Sequence, residues 1–235
     1  MNEPDFAAVA SLAGEPARAT MLTLLFDGRA LPAGELARAA GISAATASVH
    51  LSKLVQGNLL RVHSQGRHRY YELARPEMAH VLESLGSIAR PAPIRSLRES
   101  LRSQRLRFAR SCYDHLAGET AIALAAALVR ARALEVEEDG FRLGPCAHRV
   151  LLRVGVDITA LFGNPREHVR TCIDWTERRR HISGPLGSAL LESFLQTGTF
   201  RRRSEPRVLE LTGAGRAFLL DAFGLDLTES KAITA

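Results

Sequence analysis

Residues 36–71 space their apolar side chains as two short helices at a tight turn followed by two strands, and contain no Asp or Glu. Few folds fit that pattern. Pro32 suits a first helical turn, and Glu35, Leu36 and Ala39 continue a short helix to Gly41, whose tolerance of positive φ permits the turn. Ser43 is a good N-cap for a second helix over about 44–56. There Ala47, Leu51 and Leu54 fall at i, i+4 and i+7, a narrow stripe that packs inward. Ala45, Val49 and Ser52 then face outward, with Thr46 and Lys53 on one flank and Ser48 on the other. Gly57 and Asn58 stop the helix, and residues 60–63 and 69–73 read as strands around the turn 65–68.

The same span carries Arg38, Lys53, Arg61, Arg67 and Arg69, in a chain of which 24% is charged. A surface that meets phosphates excludes carboxylates, because each would repel the polyanion and cancel a counterion-releasing contact. Double-stranded DNA is therefore the expected partner. Arg67 and Arg69, at the hairpin tip, are expected on its backbone or in a groove. The alternative is a winged helix used only for protein contacts.

Leu36, Ala37, Gly41, Ile42, Ser43, Ser48, His50, Leu51, Leu54, Leu59, Leu60, Gly66, Arg67, Tyr70, Tyr71 and Leu73 together resemble the core pattern of the ArsR family of bacterial winged-helix repressors. The resemblance covers about residues 5–90. It implies a homodimeric repressor on a palindromic operator, with Ala44, Ala45, Ser48 and Val49 facing bases and Ser43, Thr46 and Lys53 beside them. It also implies a dimer interface built from helices near 5–13 and 75–89. Metal-sensing members carry a Cys-x-Cys near the third helix or Asp/His pairs on the fifth. Here residues 29–36 hold no Cys, and the fifth helix offers only His80 with Glu77 and Glu83. Metal sensing does not carry over.

A chain of 235 residues exceeds one such domain, and 46% hydrophobic with 6% aromatic content suits a mainly α protein with small β-wings. The expected fold is an N-terminal winged helix-turn-helix (1–90) and an α-rich C-terminal domain (95–230), divided at the prolines of 90–93. Three cysteines at irregular spacing favour a reducing cytoplasm. No apolar run reaches the length of a membrane span, no leader segment is evident, and no cofactor or enzyme motif is expected. Residues 95–110 read as a helix with six arginines and one acid, either a solvated connector or a second phosphate contact.

The C-terminal part repeats itself. His115-Leu116-Ala117-Gly118 recurs as His181-Ile182-Ser183-Gly184, 66 positions on. Cys112-Tyr113-Asp114 resembles Cys172-Ile173-Asp174 if residues 175–180 are an insertion. Two winged-helix-like copies, about 112–162 and 165–227, each read as helix, hairpin, turn and helix. On that reading Cys112 and His115 lie three apart on a helix and share a face, as metal ligands or a thiolate and its base would. Asp114, Cys172, Asp174, His181, Cys146 and His148 extend the set, and Trp175 beside Arg178, Arg179 and Arg180 could line a pocket for an anionic or aromatic effector. The candidate effector residues are thus Cys112, Asp114, His115, Cys172, Asp174, Trp175 and His181. The expectation is a small organic effector held between the copies, which releases the repressor from DNA. A metal- or thiol-sensing site using Cys112, His115 and Cys172 is the alternative; an enzyme or a protein-interaction module is a remoter one.

Overall fold

The computed structural model describes residues 3, 5–90, 93–94, 96–161 and 168–227. Contacts divide the chain into two compact units, Met1–Leu82 and Glu83–Ala235. Part of the expected linker, residues 91 and 92, lies outside the described residues.

The first unit runs α1 (Phe6–Gly14), α2 (Pro16–Leu24), β1 (Leu31–Pro32), α3 (Ala33–Ala40), α4 (Ala44–Gln56), β2 (Leu60–Gln65) and β3 (His68–Leu73), and enters α5 (Pro76–Ile88). Its sheet has the order β1-β3-β2, with Leu31 opposite Tyr71 and Gln65 opposite His68 across a two-residue turn. Gly41 takes φ +65°, as the turn between α3 and α4 needs. Ser43 Oγ accepts the Thr46 N–H at 3.1 Å, capping α4. Ala47, Leu51 and Leu54 are fully buried on the α4 stripe. Burial of each leucine contributes roughly 1.5–3 kcal/mol, so Leu51→Ala is the single change that would most directly loosen α4 from its core.

The second unit adds α6 (Leu97–Phe108) and then one element order twice over. Copy one is β4 (Arg110–Cys112), β5 (His115–Ala117), α7 (Glu119–Arg130), β6 (Leu134–Glu137), β7 (Gly140–Leu143) and α8 (Ala147–Leu152). Copy two is β8 (Arg170–Ile173), β9 (Arg180–Ser183), α9 (Gly184–Gln196), β10 (Phe200–Arg202), β11 (Leu209–Leu211) and α10 (Gly213–Phe223). Each copy therefore begins with a β-hairpin where the sequence reading expects a helix, and the helix expected over 95–110 ends at Phe108. Gly118 and Gly184, the paired glycines of the repeat, take φ +92° and +70° where each hairpin turns into its helix. A Cβ on Gly118 would lie 2.5 Å from the Arg107 carbonyl oxygen, so only glycine fits there. One apolar core draws on both copies: Leu124, Leu128, Leu134 and Leu151 from the first, Leu190, Phe194, Phe200 and Leu219 from the second. No described helix is long and apolar enough to cross a membrane.

Candidate functional site

The outward side of α4 presents Ala44, Ala45, Thr46, Ser48, Val49, Ser52 and Lys53, all exposed, with Ser43 at its cap. Val49 is 54% exposed, an apolar side chain left in the open on this face. Arg67 and Arg69 are exposed on the β2–β3 hairpin. Arg61 differs: its Nε donates to Glu72 Oε1 at 2.7 Å across the two strands, so this cation of the acid-free span is already paired. His63 and Tyr70 stack opposite one another and stiffen the wing. A link invisible to sequence patterning ties α4 to α2. Arg18 on α2 donates to His50 Nδ1 at 3.3 Å, to the Leu12 carbonyl at 2.6 Å and to the Ser11 carbonyl at 2.9 Å. His50 is thus half-buried and tied to α2.

The second unit gathers four residues that the sequence holds far apart. Cys112 and His115 face each other across the β4–β5 hairpin, and Cys172 and His181 do the same across β8–β9. They do not share a helix face. A tight turn with Tyr113 at φ +57° closes the first hairpin, a conformation bulky residues rarely take. The second hairpin reaches the same pairing around the inserted residues. The hairpins meet so that one ligand atom from each of Cys112, His115, Cys172 and His181 lies within 4.8 Å of every other, and all four residues are buried. The sulfurs are 3.9 Å apart and the two Nε2 atoms 3.1 Å apart.

Neighbours fix this cluster. Asp114 Oδ1 lies 3.0 Å from His115 Nδ1, and an ionised carboxylate can only accept there, so it holds a proton on Nδ1. On α9, a Cβ at Gly187 would sit 3.0 Å from the His115 Cβ, so the bare glycine lets α9 pack close against His115. Hydrogen bonding between the thiols, then burial, pushes Cys112 well above the usual thiol range. The same bond draws Cys172 down. Burial pulls His115 down, but Cys112 and Asp114 outweigh it and raise the group to about 9.

Asp174 and Trp175, expected at an effector site, both meet Arg110. Asp174 Oδ2 accepts from Arg110 at 2.9 Å and from the Gly118 N–H at 2.7 Å, and its Oδ1 takes the Thr176 N–H, the Thr176 hydroxyl and the Glu177 N–H. Burial would raise its pKa, but the Arg110 guanidinium and these bonds hold it well below the usual carboxylate range. The Arg110 guanidinium lies 4.6 Å from the Trp175 ring centroid, so an internal cation already covers that face. Cys146 and His148 stay out of the cluster: Cys146 meets Arg149, and His148 faces Asp157. Arg105 pairs with Glu205, and Arg107 with Glu177 and Glu119, so α6 spends those cations on its own unit. Glu83 and Arg207 form a buried pair, and Arg207 Nε donates to the carbonyl of Ser111, next to Cys112. A hollow between the copies, lined by Leu116, Ala121, Leu124, Ile182, Gly187 and Leu190, has a volume of about 10 Å³, room for one water.

A capped second helix with an acid-free outer face, beside a basic hairpin, defines a winged-helix DNA-binding protein. The sequence pattern of a family described as a helix-turn-helix domain matches residues 13–63. YdfF of Bacillus subtilis (strain 168), described as an uncharacterized HTH-type transcriptional regulator, is 39% identical over 213 residues, which span 91% of this chain and 94% of YdfF. Among solved structures, NolR from Sinorhizobium fredii is 26% identical, with 39% of this chain and 100% of that one covered at a TM-score of 0.33. The winged helix-turn-helix fragment of Mb0332 from Mycobacterium bovis, described as a homodimeric domain of a possible ArsR-family regulator, is 26% identical over 34% of this chain and 72% of its own, at a TM-score of 0.32. The chain belongs to the HTH-type transcriptional regulators, with a helix-turn-helix of the ArsR kind, and is a DNA-binding regulator.

Proposed function

We propose that the protein is a cytoplasmic, homodimeric repressor that reads a palindromic operator with α4 in the major groove and the β2–β3 wing on the backbone. The observation that carries the reading is the exposed α4 face from Ala44 to Lys53, without a carboxylate and next to Arg67 and Arg69. Small and hydroxyl side chains there allow close approach to base edges, while the arginines supply sequence-independent attraction.

Dimerisation is supported by apolar side chains left in the open. On α5, Val81, Leu85 and Ile88 recur at i, i+4 and i+7 and are 58%, 47% and 82% exposed. Phe6 and Val9 on α1 are likewise exposed. Stripes of that kind call for a partner surface, and a second copy would set two recognition helices one helical turn of DNA apart. Repression follows by occlusion of the promoter, with the second unit as the place where an effector acts.

The test is a gel shift with the DNA upstream of the protein's own gene, against a scrambled duplex of equal length. Retention of the upstream DNA at a protein-to-site ratio of two per palindrome supports the reading. Equal affinity for both duplexes would remove the claim of sequence-specific repression.

A further inference from the structure

We propose that Cys112, His115, Cys172 and His181 form a closed tetrahedral site for a zinc ion that clasps the two copies of the repeat together. The geometry carries this assignment. Tetrahedral Zn²⁺, with Zn–S near 2.3 Å and Zn–N near 2.0–2.1 Å, separates two thiolates by about 3.8 Å and two imidazole nitrogens by about 3.3 Å. The sulfurs here are 3.9 Å apart and the Nε2 atoms 3.1 Å apart. Each copy contributes one Cys and one His from directly opposed positions of its first hairpin, so neither copy makes the site alone.

Charge points the same way. Zn²⁺ entering this site displaces to water every proton that the four ligand atoms carry, the two thiol protons and the Nε2 proton of a charged His115 included, and leaves two thiolates and two neutral imidazoles. The centre is then electrically neutral, which suits four buried ligands, since an uncompensated charge at that depth would be costly. Asp114 holds the Nδ1 proton of His115, so that Nε2 is the nitrogen left to bind the ion once its own proton is displaced, the arrangement that second-shell carboxylates give metal-bound histidines. A mixed sulfur–nitrogen tetrahedron selects zinc over the hard, oxygen-preferring cations. With all four positions filled by protein, the ion has no open place for a substrate and acts as a clasp. This site is distinct from the α3 and α5 positions that the family resemblance brings to mind, neither of which holds a matching set here.

The test uses the full chain, reduced and stripped with chelator, then titrated with Co²⁺ and afterwards with Zn²⁺. The expected result is one Co²⁺ per chain, with tetrahedral ligand-field bands and thiolate-to-cobalt charge-transfer absorption, displaced by equimolar Zn²⁺. Cys112→Ser and Cys172→Ser should each lose most of the charge-transfer intensity, while Cys146→Ser, outside the cluster, keeps it. Zinc at about 100 times its Kd should raise the melting temperature by roughly 5–10 °C. No tetrahedral cobalt spectrum, with all three thiols still reactive, would overturn the proposal. So would a Cys112–Cys172 disulfide formed on mild oxidation by a protein that takes up no metal, which would make the pair a redox switch. If either serine variant fails to fold, the wild-type stoichiometry and the Cys146→Ser control decide. None of these readouts involves DNA, so their failure leaves the proposed operator binding untouched.

Discussion

Asp174→Ala should cost the second unit about 3–5 kcal/mol, because it leaves the Arg110 guanidinium charged and buried without its counter-ion. Both side chains are wholly inaccessible, and the pair closes at 2.9 Å. The carboxylate also accepts the Gly118, Thr176 and Glu177 N–H groups, and orphaned buried donors of that kind cost roughly 1–3 kcal/mol each where water does not reach them. Domain stabilities are only about 5–15 kcal/mol, so the variant should sit near the edge of folding at 37 °C. Trp175, the only tryptophan, lies against Arg110, so its fluorescence during urea unfolding reports this unit directly. Adding Arg110→Met to Asp174→Ala should recover part of the loss, since it removes the stranded charge and fills its space with an apolar chain. A loss below about 1 kcal/mol in the single variant, or a further loss in the double variant, would refute the account of this pair.

Arg67→Ala should weaken operator binding by on the order of 1 kcal/mol and reduce the salt slope by about one unit, as read by fluorescence anisotropy at several salt concentrations. An unchanged slope would take the wing tip off the phosphates. Gly187→Ala places a Cβ 2.8 Å from the Ile182 carbonyl oxygen and 3.0 Å from the His115 Cβ, so it should destabilise the second unit by about 1–3 kcal/mol in urea unfolding. A neutral outcome would mean that His115 is not pressed against α9.

The helix-turn-helix was legible because its determinants are local. Gly41, the Ser43 cap and the Ala47, Leu51 and Leu54 stripe lie within fourteen residues and need no distant partner to be read. The repeat was legible too, and with it the pairing of Cys112 and His115 with Cys172 and His181. What misled was spacing: Cys and His three apart fit a helix face and a two-residue hairpin equally well. The second copy held the corrective signal, since Cys172 and His181 are nine apart, a separation that puts its Cys and His on different turns of any helix but is readily bridged by a longer hairpin. The contacts of Asp174 and Trp175 with Arg110 were not legible, because Arg110 lies 64 positions upstream of Asp174. The Glu83–Arg207 pair spans 124 positions and left no local trace. Long-range ion pairs satisfy charges that, in the sequence, look available for ligands.

The claim that α4 reads DNA is tested most directly by Ser48→Glu. Ser48 is exposed on that helix and outside the buried Ala47, Leu51 and Leu54 stripe, so the substitution changes the charge of the face and little else. Wild-type and variant protein would be compared by footprinting on the upstream DNA and by thermal melting. The account predicts a melting temperature within a degree or two of the wild type and loss of the footprint, because the new carboxylate meets phosphates and base acceptors. A variant that melts normally and still protects the same bases would contradict it.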